Sequence, residues 1–391
     1  MNDLSSEILG VLSSIWKVGP VPLHQPNFIG NEIFYLKDCV ESTFVSSVGH
    51  YVDSFEASLA DFVGCKRAVA TSSGTSALQV SLKIAGVSPN DEVLLSPLTF
   101  VATANAVSHL GAIPHFVDCE DLTLGIDPDA LIEWLDHISF QKDGQCFNKK
   151  TNRRIKALLP THVFGFPCQI NSLYEVAKKY NLQLIEDAAE SLGSFYSSKH
   201  TGLFGTLGAL SFNGNKIITT GGGGAIITDN IALADYAKHL TTTAKKPHSW
   251  EYWHDEVGYN YRMPNINAAL GLAQLENIKS ILLNKRKLHQ RYLIEFSKLI
   301  NSNVLDLIKE PPKTSSNFWL NAIRLSPNTS EYRDALLDIT NKNGYQTRPV
   351  WCLLHRLPMY CSCQHSPMTV AETLEFQLIN LPSNTTPDSG F

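Results

Sequence analysis

Between residues 67 and 187 the chain alternates short apolar runs with amphipathic ones, and this alternation restricts its fold more than any other feature. Residues 67–70, 92–96, 113–118, 156–164 and 182–187 read as strands. Residues 77–85, 99–110 and 171–180 read as helices, the last with Leu173, Val176, Ala177 and Tyr180 on one face. Asp127 before Pro128 marks a further helix start, a side-chain acceptor followed by a residue that needs no N–H partner. Near-continuous apolar strands separated by helices bury both faces, so the expected fold is α/β, a mainly parallel sheet with helices on each side. The polar segment 139–154 interrupts the alternation and reads as an inserted hairpin. After Gly205, residues 209–212 and 216–220 read as strands, with the four glycines 221–224 as the turn into a strand at 225–228. A long charged helix starts at 278, with Lys285, Arg286, Lys287 and Arg291. The organisation that follows is an N-terminal helix and arm over 1–30, a large α/β domain over 31–277 and a smaller α+β domain over 278–391.

Composition removes several classes of function. Charged residues are 18% and hydrophobic residues 43% of the 391, which describes a chain with ample core and little disorder. A net charge of −5 argues against nucleic-acid binding. No apolar window is long enough to span a membrane, and the start of the chain lacks a basic leader before an apolar stretch, so the expectation is a cytoplasmic enzyme. The eight cysteines are scattered, and Cys361, Cys363 and His365 lack metal-ligand spacing, so they read as free thiols with no metal site.

Three features fall where strands end, the edge at which open α/β sheets bind ligands. Ser72-Ser73-Gly74-Thr75-Ser76 precedes a helix and offers free backbone N–H groups to a phosphate. Asp187 closes an apolar run and places a carboxylate at the same edge. Lys216, flanked by small and apolar residues, is expected to be partly buried, which leaves an amine nucleophilic. An anion site, an acid and a buried lysine together fit pyridoxal 5′-phosphate (PLP). The lysine forms a Schiff base with the aldehyde, and the acid keeps the pyridine nitrogen protonated. The glycines at 221–224 lie between two strand-like runs and do not make a dinucleotide fingerprint, which disfavours a nicotinamide-dependent oxidoreductase.

With these residues in place the chain resembles the DegT/StrS-type sugar-nucleotide aminotransferases, PLP enzymes of fold type I (aspartate aminotransferase-like). The resemblance is carried by TSSGTSAL (71–78), SPLTFVATANAV (96–107), THVFGFP (161–167), EDAAESLG (186–193), SFNGNK (211–216), GYNYRMPNINAALGLAQLE (258–276) and TRPVW (347–351). It implies that Lys216 joins the cofactor and moves the proton, and that Asp187 pairs with the pyridinium. It further implies that Gly74, Thr75 and Ser211 hold the phosphate and Phe100 stacks on the ring. Glu190 would lie near the ring hydroxyl, a position where Gln or His is common in the family. Asn260 would reach the phosphate of a neighbouring subunit, which makes a homodimer with shared active sites the expected assembly. His162, Arg262, Arg348 and Lys246 are candidates for contacts with sugar or diphosphate.

The family resemblance implies ping-pong transfer of an amino group from L-glutamate to a nucleotide-linked keto sugar. A dehydrating branch has His in place of the lysine, so Lys216 favours transamination. Several stretches resemble enzymes that aminate C4 of UDP-4-keto-6-deoxy-N-acetylglucosamine for surface glycans. The alternatives are a GDP-4-keto-6-deoxymannose aminotransferase of the perosamine synthase type and a non-catalytic PLP-binding regulator.

Overall fold

The computed structural model describes residues 2–17 and 19–385. Eleven strands precede residue 230: β1 (Arg67–Thr71), β2 (Glu92–Leu95), β3 (Ile113–Phe116), β4 (Ser139–Lys142), β5 (Gln145–Asn148), β6 (Ile155–Leu159), β7 (Gln183–Asp187), β8 (Phe195–Tyr196), β9 (Lys199–His200), β10 (Leu207–Ser211) and β11 (Gly224–Thr228). Seven of them form one sheet in the order β1-β11-β10-β7-β6-β2-β3. The pairs from β10 through β3 are parallel, while β11 runs antiparallel to both β10 and β1. The alternation of side chains along each strand sends apolar residues to both faces. Leu95, Leu159 and Ile185 pack on one face against α4 (Gly74–Ile84), α5 (Ala102–Ser108) and α8 (Ile231–Thr241). Leu94, Leu158 and Leu184 pack on the other against α6 (Pro128–Ile138) and α7 (Ile170–Lys179). Near β1, β10 and β11 that second face is covered by α3 (His50–Val63) and α9 (Asn265–Glu276). The two-faced burial implied by the alternation is thus present, and Asp127 caps α6 by accepting from the N–H groups of Asp129 and Ala130.

The polar segment forms the antiparallel hairpin β4–β5. Asn148 anchors it, donating to Glu92 Oε2 at 2.8 Å and Gln364 Oε1 at 3.0 Å. Beyond α10 (Ile278–Glu295) the strands β12 (Leu305–Leu307), β14 (Asn321–Leu325), β15 (Arg348–Pro349) and β16 (Leu378–Leu381) make an antiparallel sheet, while β13 (Thr314–Ser315) pairs with β8. The N-terminal helix α1 (Asn2–Ile15) buries Leu4, Ile8 and Leu12 against Leu288 and Tyr292 of α10 and the β12–β14–β16 face. No helix of the described residues is long and apolar enough to cross a membrane.

Three expectations are corrected. Residues 216–220 form no strand: Phe212 donates to Gly223 O at 2.9 Å and Thr220 to Phe212 O at 3.0 Å, pinching off a loop between β10 and β11. Ile217 and Ile218 are buried, so the apolar signal reported burial rather than ladder pairing. The strand read over 156–164 stops at Leu159, because the chain bends through a 3-10 turn with Phe164 at φ 55°. The helix read over 99–110 is confined to Ala102–Ser108, and residues 99–100 instead face the site described next.

Candidate active site

A cavity of about 310 Å³ opens at the carboxyl ends of β1, β7 and β10, lined by Gly74, Thr75, Phe100, Asp187, Glu190, Ser211 and Lys216 among others. Sheet order explains the convergence. Thr71 and Ser211 both stand opposite Gly224, and Asp187 pairs with Ala209, so three segments far apart in sequence end side by side.

The first wall is the start of α4. Ser73 Oγ accepts from the Ser76 N–H (3.1 Å) while Ser76 Oγ accepts from the Ser73 N–H (3.0 Å), a capping box with Ser in both roles. The Gly74 backbone approaches Ser211 so closely that a Cβ would lie 2.8 Å from the Ser211 Cβ. A Cβ on Gly224 would lie 2.5 Å from the Ser73 backbone. These two glycines let the helix start sit directly on the sheet edge, its N–H groups facing the cavity as an anion cradle.

The second wall is acidic. Asp187 is 3% exposed; Thr103 donates to its Oδ2 at 2.7 Å and the Ala189 N–H to its Oδ1 at 3.1 Å. Burial raises its pKa, with those donors and Lys216 opposing the shift. Two donors leave acceptor capacity on each oxygen. Glu190 accepts the Phe164 N–H at 2.8 Å and lies 3.5 Å from Lys216 Nζ. Its pKa too is raised by burial, with Lys216 pulling the other way.

The third wall carries the amine. Lys216 follows the turn made by Asn213-Gly214-Asn215, its N–H bonded to Asn213 O at 3.0 Å. Its side chain is 11% exposed, and Nζ sits 4.0 Å from the centre of the Trp319 ring. Phe100, 52% exposed, presents its ring at the rim.

This geometry fits PLP. The amine, the helix-start cradle and a buried acid with no ion-pair partner among the described residues share one cavity of suitable size, with an aromatic face at its mouth.

Other candidates lie elsewhere. His162 is fully buried, with Nε2 3.0 Å from Glu186 Oε2 and Nδ1 accepting the Cys168 N–H at 3.2 Å, and it does not line the cavity. Burial alone would lower its pKa, but Cys168 and Glu186 outweigh burial and raise it. Arg348 is exposed and bonded to Asn341 Oδ1 at 3.0 Å, while Trp351 from the same stretch does line the cavity. Lys246 pairs with Asp255 at 3.2 Å on an exposed loop. Asn260 and Arg262 are also exposed, 3.3 Å apart, on a segment stitched to the cradle by the Ser72 N–H to Tyr261 O bond of 2.8 Å. Sequence reasoning missed Thr103 and Trp319. Thr103 had a faint signal, lying four residues after Thr99, whose hydroxyl is 3.1 Å from its own. Trp319 had none.

Comparison with known proteins places the chain in a family. The model of the DegT/DnrJ/EryC1/StrS aminotransferase family matches residues 27–388. The GDP-perosamine synthase of Escherichia coli O157:H7 is 36% identical over 363 residues, 93% of each chain. That of Vibrio cholerae is 34% identical over 93% of this chain and 94% of its own. Among solved structures, a DegT DnrJ EryC1 StrS aminotransferase from Brucella abortus superposes with a TM-score of 0.82 at 25% identity, covering 92% of this chain and 91% of that one. An amine, an acid and an anion cradle at one sheet edge, and relatives that match nearly end to end, lead to one conclusion: the chain belongs to the DegT/DnrJ/EryC1/StrS family and is a PLP-dependent sugar-nucleotide aminotransferase of fold type I.

Proposed function

We propose that the protein transfers the amino group of L-glutamate to C4 of GDP-4-keto-6-deoxymannose, for surface glycan synthesis. The observation that carries the chemistry is Lys216 Nζ in one cavity with Asp187, Glu190 and the α4 cradle. The GDP nucleotide rests on the relatives, two of which are GDP-perosamine synthases alike over nearly their whole length. They support GDP over the UDP-linked substrate expected first.

PLP, when bound, supplies an electron sink through its protonated ring. The chain's residues do the rest. Lys216 would hold the cofactor through its amine, and its Nζ is placed to move a proton at the reacting carbon. Asp187 would offer its buried carboxylate to the ring nitrogen, a charge-assisted bond worth about 1.5–3 kcal/mol. Thr103 and the Ala189 N–H orient that carboxylate. Glu190, 3.5 Å from Nζ, is placed to share a proton with Lys216. Gly74, Thr75 and Ser211, which line the cavity at the α4 start, would hold the phosphate, and Phe100 at the rim would shield the cofactor from water. Asn260 is exposed on the segment next to the cradle, which leaves it free to reach the phosphate of a neighbouring subunit in a homodimer, the assembly that the family resemblance implies.

The test is a coupled assay. Glutamate should convert the yellow enzyme to its colourless amino form, and of GDP-, UDP- and dTDP-linked 4-keto sugars only the GDP sugar should restore colour at a useful rate, with the 4-amino product seen by NMR. Restoration by the UDP sugar alone would replace the proposed substrate. Colour with no response to glutamate would favour a regulator.

A further inference from the structure

Helix α10 is rich in charged residues, yet Lys285 within it is fully buried. Its Nζ donates to the carbonyl oxygens of Trp319, at 2.8 Å, and of Ser383. Among the described residues no carboxylate pairs with it, and burial holds its pKa well below that of an ordinary lysine. His24, close enough to feel both Lys285 and Lys216, has its ring nitrogens buried beside the Asn215 backbone, and burial holds its pKa well below the ordinary histidine value. The space behind Trp319 therefore holds two basic side chains that have no ion-pair partner among the described residues.

An alkyl side chain would fill that space without the cost of desolvating an amine. A lysine belongs there only if its N–H groups do something an alkyl chain cannot. Here they satisfy two buried carbonyls on different segments. Trp319 is thereby held at three points: its N–H donates to Asn317 Oδ1 (2.8 Å), its carbonyl accepts from Lys285, and its indole N–H donates to Asn215 O (2.6 Å), next to Lys216. Ser383 in turn donates its N–H to Leu23 O at 2.7 Å, which ties the arm carrying His24 to the same junction.

We propose that Lys285 is a positioning residue for the reacting lysine: by tying the Trp319 carbonyl to that of Ser383, it sets the indole face against which Lys216 Nζ works. The proposal rests on the reading of Lys216 as the amine that joins the cofactor. Lys285 touches neither cofactor nor substrate and acts through Trp319.

The test compares Lys285→Met with Lys285→Gln in purified holoenzyme, each alone and combined with Trp319→Ala. Gln keeps two N–H donors on one nitrogen, and Met keeps only the bulk. Lys285→Met should shift the absorbance maximum of the bound cofactor and slow the glutamate half-reaction about tenfold, while Lys285→Gln stays within about twofold of wild type. In the Trp319→Ala background the effect of Lys285→Met should vanish, because the link it acts through is gone. A wild-type spectrum and rate in Lys285→Met, even with a lowered melting temperature, would overturn the proposal, as would an undiminished effect in the Trp319→Ala background. Should Lys285→Met not fold, Trp319→Ala alone decides: an unchanged half-reaction overturns the proposal, and a slowed one with a shifted spectrum supports it. Failure of the underlying reading shows in the wild type instead, as borohydride trapping of the cofactor on a lysine other than Lys216.

Discussion

Glu186 and Asp187 are neighbours on β7 and face opposite sides of the sheet, and the two surroundings separate structural burial from functional burial. Both are buried, at 0% and 3% exposure. Glu186 accepts the N–H groups of Gly202 (2.8 Å), Phe204 (2.6 Å) and Gly205 (2.7 Å) and lies 3.0 Å from His162 Nε2. Its acceptor capacity is used up, and it does not line the cavity at the carboxyl edge of the sheet. Asp187 has two donors, unused lone pairs and a cavity in front. A buried carboxylate ringed by donors holds the fold together, whereas one left incomplete beside open space is ready for a ligand.

Substitutions on the cavity side should reduce chemistry and spare the fold. Lys216→Ala should lower turnover by roughly 10⁴-fold or more with the fold intact by circular dichroism. Normal activity in this variant would dismantle the site. Asp187→Asn should slow the glutamate half-reaction by about 10²–10³-fold, since one charge-assisted bond to a forming cation is lost. Because the buried charge destabilises the cofactor-free fold, its melting temperature should hold or rise.

The opposite face should respond the other way. Glu186→Ala leaves His162 and three N–H groups without their acceptor, and should cost about 3–5 kcal/mol in denaturant unfolding. The folded fraction should keep the wild-type cofactor spectrum. Loss of the cofactor band at full stability would erase the distinction between the two faces.

The pH dependence sharpens it further. Asp187 and Glu190 have folded-state pKa values raised by burial. Their protonated forms favour folding below the ordinary carboxyl range of about 4, and that contribution is lost as pH rises through the elevated values. A cofactor that supplies positive charge offsets the loss, so PLP should raise the melting temperature more at pH 8 than at pH 5. An equal rise at both would indicate that these carboxylates do not meet the cofactor's charge. The smallest effect is expected at the exposed Lys246–Asp255 pair, where Lys246→Ala should change stability by less than about 0.5 kcal/mol. Any rise in KM for the nucleotide sugar in that variant then reports on substrate contact alone.

Much of the fold was legible because apolar periodicity reports burial directly. It located the strands from β1 to β7, the hairpin at 139–154 and the α6 cap. It failed where burial and pairing part company, as at Ile217 and Ile218, which pack into the core from a loop. The site was legible in its strand-end residues. His162 shows the limit: it is a candidate for substrate contact in the sequence, but the direction of its ring, toward Glu186 and away from the cavity, depends on neighbours that periodicity does not contain.

By itself the sequence determined which stretches from β1 to β7 alternate as strand and helix and which polar residues stand at strand ends, since local pattern and capping chemistry report both. Tertiary structure decided the company those residues keep. The order β1-β11-β10-β7 brings the stretches around residues 73, 187 and 211 to one edge. The chain beyond α10 then lays Trp319 against Lys216 and draws Lys285 out of solvent. Side-chain distances across a sheet or between layers are set by pairing and packing over hundreds of residues, which no local reading of the chain encodes.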